Sequence, residues 1–157
     1  MDAYLALRDD EDARTVRERL RRGDLGLGLW RGDRLVGAAW ARFDRVWVSE
    51  LGRSLRVGPE EAYGYAAFIA PGHRGRGAAS ALYVLVLRRL QSLGYRRVLS
   101  YVDSGNLAGR APLWRLGFDF VGRIRWFHVG RVGFELMSWR DGRRRVRVHV
   151  RAPDAHE

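Results

Sequence analysis

Residues 69–79, Ile-Ala-Pro-Gly-His-Arg-Gly-Arg-Gly-Ala-Ala, form the part of this 157-residue chain best equipped for chemistry. An apolar strand ends at Pro71-Gly72, a glycine-rich turn follows, and a helix begins. Such a turn offers unpaired backbone N–H groups at the positive end of the helix dipole, an arrangement suited to phosphate. Gly75, Gly77, Ala78 and Ala79 let a ligand approach the main chain without meeting a large side chain. The turn lacks the Gly-Lys-Ser/Thr of a P-loop and the Gly-x-Gly-x-x-Gly of a dinucleotide site. On backbone physics alone, a phosphate cradle and a tight structural turn both remain open. His73 stands beside it, either as a further contact or as an ordinary loop histidine. The other residue types able to move protons are Asp103, Glu60 and Glu61 among the carboxylates, and Tyr65, Tyr83 and Tyr101 among the hydroxyls.

These groups need elements to hold them. Ala3–Arg8 reads as a short strand. A helix follows, with Asp9, Asp10, Glu11 and Asp12 at its start, arginines at its end and Gly23 to cap it. Gly26–Trp30 and Arg34–Ala41 make a hairpin about Arg31-Gly32-Asp33, extending toward Val48 after a break near Asp44. Ala62–Ala70 reads as a buried strand, Ala78–Leu93 as a helix stopped by Gly94, and Arg97–Asp103 as another strand. Asn106–Leu116 is helical, ended by Gly117. Pro112 inside it predicts a helix that is short, kinked or late to start. Phe120–Phe127 and Val132–Met137 pair around Gly130. Period-two alternation over Arg143–Arg151 predicts an edge strand with one charged and one apolar face. The elements indicate a mixed α/β (α+β) domain over residues 1–138. Residues 139–157 read as an Arg-rich extension, an extra edge strand plus a disordered end.

Composition narrows the classes. There are 29 basic and 18 acidic side chains, a net charge of +11, and no cysteine. A disulfide scaffold, a thiol nucleophile and a cysteine-ligated metal site are excluded, and no metal is expected. All the basic side chains are Arg and none is Lys. A GC-rich coding bias accounts for that; selection for Arg forks on phosphate or carboxylate is the alternative. The charge calls for anionic partners and says nothing of fold. No apolar run approaches the roughly 20 residues of a membrane span, and the acidic N-terminus is unlike a secretion signal. The expectation is a cytoplasmic protein with no membrane association.

The run Arg74-Gly75-Arg76-Gly77-Ala78-Ala79 resembles the Arg/Gln-x-x-Gly-x-Gly/Ala signature of the GNAT N-acetyltransferase superfamily. A second match lies eleven residues apart: Asn106 before Gly117-Phe118 is similar to the family's Asn…Gly-Phe block. The order of elements fits from about Ala3 to Met137. The resemblance implies a mixed central sheet splayed between its fourth and fifth strands, here Ala62–Ala70 and Arg97–Asp103, with helices on both faces. Acetyl-CoA would lie in the splay. Phe68, Ile69 and Ala70 would hold its pantetheine arm, the amides of Arg74, Gly75, Arg76, Gly77, Ala78 and Ala79 its diphosphate, and Asn106 the arm from the other side. Arg76 or Arg110 would reach the ribose phosphate. A backbone N–H near Phe68–Ala70 would stabilise the oxyanion while an amine attacks the thioester directly.

The sequence also departs from the family pattern. Leu113 stands where a Tyr commonly protonates the leaving thiolate, and Tyr65, Tyr83 and Tyr101 are substitutes by residue type. Asp103 is the first candidate base, with Glu61 and Glu60 as alternatives. One helix before the hairpin, where the family has two, predicts an open acceptor cleft suited to a peptide terminus or a bulky amine. The implied activity is an acetyl-CoA-dependent N-acetyltransferase acting on a primary amine, of a small molecule or of a protein or peptide. A non-catalytic acyl-CoA-binding or nucleic-acid-associated module of the same fold is the alternative, as is transfer of a longer acyl chain past Phe68, Leu82, Trp114 and Phe118. Dispersal of the arginines along the chain disfavours nucleic acid as a partner. A homodimer through the C-terminal strand is a further expectation.

Overall fold

Helix-forming composition permits the first element, and a distant partner fixes it. Ala and Leu dominate residues 3–7, and in place of the expected strand at Ala3–Arg8 stands a six-residue helix, α1 (Asp2–Leu7). So short a helix depends on tertiary packing. Tyr4 supplies it: the buried ring sits edge-on to Trp40 at 5.6 Å, and its hydroxyl accepts from Arg19 at 3.0 Å. The structure, a computed structural model, describes residues 1–48, 53–129, 132–140, 142 and 144–150.

The acidic run stands just before a helix, as expected. Asp12 caps α2 (Ala13–Arg21) by accepting the Thr15 N–H at 2.6 Å, which holds its carboxyl below the usual range. Gly23 follows the helix in the left-handed region, at φ +79°. Two short helices therefore precede the hairpin, not one, and the expectation of an unusually open acceptor cleft loses its premise.

The hairpin comprises β1 (Leu25–Arg31) and β2 (Arg34–Arg42), turned at Gly32-Asp33. A second hairpin, β3 (Arg45–Val48) with β4 (Arg53–Arg56), forms its own two-stranded sheet. Sequence reading reached β3 but not β4. Next come β5 (Glu61–Ile69), α3 (Ala78–Ser92), β6 (Arg97–Leu99) and α4 (Leu107–Arg115). The last strand is three residues long where seven were expected, because the chain parts from β5 after Leu99. The nine residues of α4 match the short helix that Pro112 predicts.

The central sheet has the order β1-β2-β5-β6, antiparallel except for the parallel β5–β6 pair. One of its two inner strands, β2, is buried from Leu35 to Ala41, so it reads as a continuous apolar run. On one face Ala39, Ala41 and Ala62 pack against Leu82, Val86 and Leu90 of α3, which recur at helical spacing. On the other, Leu35, Ala38 and Trp40 pack against Tyr4 of α1 and Val16 of α2. Helices cover both faces, as expected.

The chain divides into two compact units, Met1–Gly117 and Phe118–Glu157. In the second, β7 (Gly122–Val129), β8 (Val132–Trp139) and β9 (Arg144–Val150) form an antiparallel sheet in that order. The alternating tail is thus an outer strand. The turn at Gly130 and the end at 151–157 lie outside the described residues.

One buried ion pair ties three strands of the central sheet together. Asp24, just before β1, keeps only 1% of its side chain exposed. It accepts from Arg42 Nε at 2.8 Å and from the Tyr65 hydroxyl at 2.7 Å. Removing one partner of such a pair leaves the other charge buried without compensation. Asp24→Ala is therefore expected to cost about 3–5 kcal/mol of folding free energy, read as a lowered urea midpoint. An unchanged midpoint would mean that the pair ties nothing.

Candidate functional site

Pairing between β5 and β6 lasts three residues, ending at Tyr63 opposite Leu99. The Ser100 hydroxyl donates to the Gly64 carbonyl at 2.9 Å, and from there the two chains separate. This is the expected splay. Beyond it, β5 is paired on its β2 side, while its other edge runs on toward Ile69 without β6.

A β-bulge sets which groups occupy that open edge. Two residues of β5, Ala66 and Ala67, stand opposite the single Ala39 of β2, and Ala66 adopts φ +49°. A bulge exchanges the roles of the following residues. Before it, Ala62 faces α3 and Tyr65 faces α1 and α2; after it, Ile69 faces α3. The Ala70 N–H donates to Val36 of β2 at 2.9 Å. Alternation along an antiparallel ladder then turns the N–H and C=O of Ile69, and by the same rule of Ala67, toward the open edge. Of the three residues expected to hold an extended ligand, Ile69 offers its backbone, while the Ala70 N–H is spoken for by β2. The bulge escaped sequence reading, because alanine carries the Cβ that disfavours a positive φ and so does not announce one.

The strand runs directly into the glycine-rich turn. Pro71–His73 make a single 3-10 turn, Gly75 and Gly77 adopt φ +71° and +79°, and Gly77 is the N-cap of α3. Glycine brings no capping side chain, so the first N–H groups of a fifteen-residue helix are left to an external acceptor. Arg74 folds back instead: its Nε donates to the Ile69 carbonyl at 3.0 Å and its guanidinium lies 5.4 Å from the Phe68 ring centroid. Arg8 lies over the same ring at 4.9 Å. Arg76 is exposed. The structure thus brings Phe68, Ile69 and the Arg74–Ala79 turn together.

Across the splay, Asn106 is the N-cap of α4, its Oδ1 accepting the Gly109 N–H at 2.8 Å. That leaves its amide NH2 for a ligand carbonyl. Arg110 donates to the Ser104 carbonyl at 2.8 Å and stacks on Trp114 at 4.4 Å. Leu113, where a hydroxyl was sought, is buried.

The proton-transfer candidates are scattered. Asp103 lies beyond β6 in an exposed turn, accepting the Gly105 N–H at 2.7 Å. Glu61, at the start of β5, accepts the Gly58 N–H at 3.1 Å and pairs with Arg97 at 2.9 Å. Glu60 pairs loosely with Arg96 at 3.8 Å. The Tyr65 hydroxyl donates to Asp24; burial, and then the neighbouring carboxylate, push its pKa far above the ordinary tyrosine value. A phenol held that firmly protonated is a poor proton source. Burial also raises the pKa of Tyr83.

The left-handed turn makes a direct demand on residue type. A Cβ on Gly77 would meet nothing within 4 Å, so the cost of Gly77→Ala is conformational. It is expected to be about 1–2 kcal/mol in urea unfolding, whereas Gly72→Ala, equally open and without the positive φ, stays close to wild type. Equal effects at the two positions would contradict this conformation.

With this geometry in place, the chain can be set beside known proteins. Residues 1–118 match the model described as the acetyltransferase (GNAT) family. Over 97 residues the chain is 36% identical to a mycothiol acetyltransferase of Corynebacterium efficiens, covering 62% of this chain and 28% of that protein. The corresponding figures for a mycothiol acetyltransferase of Corynebacterium glutamicum are 30% over 92 residues, 59% and 27%. The chain spans less than a third of the length of these relatives. Among solved structures, the aminoglycoside N-acetyltransferase AAC(6')-Iy in complex with CoA superposes with a TM-score of 0.63, at 20% identity over 82% of this chain and 92% of that one. The ribosomal-protein-S18-alanine N-acetyltransferase of Escherichia coli gives 0.61, at 17% identity over 99% and 92%. Splayed sheet, uncapped glycine turn and sequence match agree: this chain belongs to the acetyltransferase (GNAT) family.

Proposed function

We propose that the chain transfers an acetyl group from acetyl-CoA to a primary amine, of a small molecule or of a peptide or protein. One observation carries the reading: an open strand edge runs straight into an uncapped helix N-terminus. The pantetheine arm is an extended chain with two amides, and it matches a strand edge in need of partners. The diphosphate matches the amides of Arg74–Ala79 and the start of α3. Asn106 would donate its amide NH2 to the arm from the far side of the splay. Arg74, released from the Ile69 carbonyl, would be free to meet phosphate, with Arg76 beside it.

The chemistry asked of the protein is modest. A neutral amine nitrogen attacks the thioester carbonyl carbon, a C–N bond forms, the C–S bond breaks, and CoA leaves as a thiolate. The open-edge N–H of Ile69, or of Ala67 in the bulge, is the donor for the developing oxyanion; losing such a donor costs roughly 3 kcal/mol of barrier. The amine proton goes to water or to a carboxylate, Asp103 or Glu61. Tyr65 is held by Asp24 and Leu113 has no acidic proton to give, so the thiolate leaves without a protein acid or takes a proton from water. A thiolate is a fair leaving group at neutral pH.

The test is a thermal and chemical unfolding series with acetyl-CoA. At about 100 times its dissociation constant, the ligand should add about 2.7 kcal/mol to stability. Gly77→Glu places a carboxylate where the diphosphate would sit and should abolish the gain. Absence of stabilisation with any acyl-CoA would overturn the proposal. A panel of amines with a thiol readout would then identify the acceptor.

A further inference from the structure

We propose that the outward face of the β3–β4 hairpin binds single-stranded nucleic acid. The ladder places Arg45 directly opposite Arg56 and Trp47 directly opposite Ser54. Directly opposed residues share a face, so these four stand together. All four are exposed, Trp47 to 61%. The other face cannot exchange with it: Val46 is buried with Val57 and Tyr63, and Leu55 packs against them. Asp44 closes the base of the hairpin, its carbonyl accepting the Val57 N–H at 2.6 Å and its carboxylate accepting the N–H of Arg45.

Two features of this face lack an internal explanation. Like charges directly opposite one another destabilise a ladder. Some arginines have carboxylate partners: Arg8 with Asp10 and Glu11, Arg19 with Glu11, Arg42 with Asp24, Arg97 with Glu61. Among the described residues, Arg45 and Arg56 have no such partner. A tryptophan this exposed, one same-face rung along from two opposed guanidinium groups that have no carboxylate partner among the described residues, offers a base-stacking surface beside phosphate contacts. Single-stranded nucleic acid supplies both chemistries: an unpaired base for Trp47 and neighbouring backbone phosphates for the two arginines on the adjacent rung. The arginines lie eleven residues apart in sequence, and only the hairpin register brings them together.

The measurement is fluorescence anisotropy of a labelled twelve-nucleotide uridine RNA titrated with the full chain between 50 and 300 mM NaCl, with folding of each variant checked by circular dichroism. Binding at 50 mM NaCl is expected with a Kd of about 1–100 µM. Trp47→Ala should weaken it about 5- to 100-fold, and Trp47→Phe should retain most of the affinity. The double change Arg45→Gln, Arg56→Gln should lower the slope of log K against log salt by about 1.4, two phosphate contacts on a single strand. Arg88→Gln with Arg89→Gln, which removes equal charge from the exposed side of α3, should leave affinity within about twofold. The proposal is overturned if the RNA does not bind, or if the α3 pair costs as much as the hairpin pair. It is equally overturned if an RNA duplex or anionic vesicles bind as tightly with the same dependence on Trp47. None of these readouts involves acetyl-CoA, so the two proposals stand or fall separately.

Discussion

A β-strand that loses its neighbour midway must find other partners for its backbone, and in this protein β5 is that strand. It pairs with β2 along nearly its whole length but with β6 for only three residues. Past Gly64 the open edge carries N–H and C=O groups whose desolvation without partners is costly. The Arg74 side chain, bonded to the Ile69 carbonyl, meets one of those needs from within the chain. The bulge at Ala66-Ala67 chooses which residues present their backbone there. The positive φ of Ala66 is a cost the surrounding sheet sustains. Everything proposed for the donor site follows from that edge and from the helix start it leads into.

The sheet can hold this strained strand because its other attachments are firm. Asp24 anchors Tyr65, the residue immediately before the bulge, and draws Arg42 of β2 into the same buried group. Arg19 lies over both Trp40 and Tyr65 and pairs with Glu11, which also pairs with Arg8, and Arg8 covers Phe68. A chain of charges and rings thus connects α1 and α2 to both sides of the bulge. The acidic run at Asp9–Asp12 is largely consumed in this internal pairing and in capping α2.

What was legible in the sequence is what local chemistry decides. Gly75 and Gly77 announced a tight turn into a helix, the acidic run at Asp9–Asp12 a helix start, Pro112 a short helix, and the Arg/Val alternation a strand. What was not legible depends on partners distant along the chain. The α1 helix exists because Trp40 receives Tyr4, 36 residues away. The Asp24–Tyr65 bond spans 41 residues, and it turned a candidate proton donor into part of the sheet. β4 is four residues long, Arg-Ser-Leu-Arg, too short for its period to stand out. The bulge leaves almost no mark because alanine suits either backbone conformation poorly enough to signal neither. The charge of +11 is dispersed along the chain, and the hairpin register brings Arg45, Trp47 and Arg56 to one face.

The central claim is that the open edge of β5 and the start of α3 form one continuous donor-binding surface. Residue-resolved amide hydrogen exchange with and without acetyl-CoA tests it most directly. At about 100 times the dissociation constant, exchange at Ile69, at Ala67 and at Ala78–Ser80 should slow together, by up to about 100-fold. Protection confined to other segments, or slowing at the helix start with none on β5, would contradict the account.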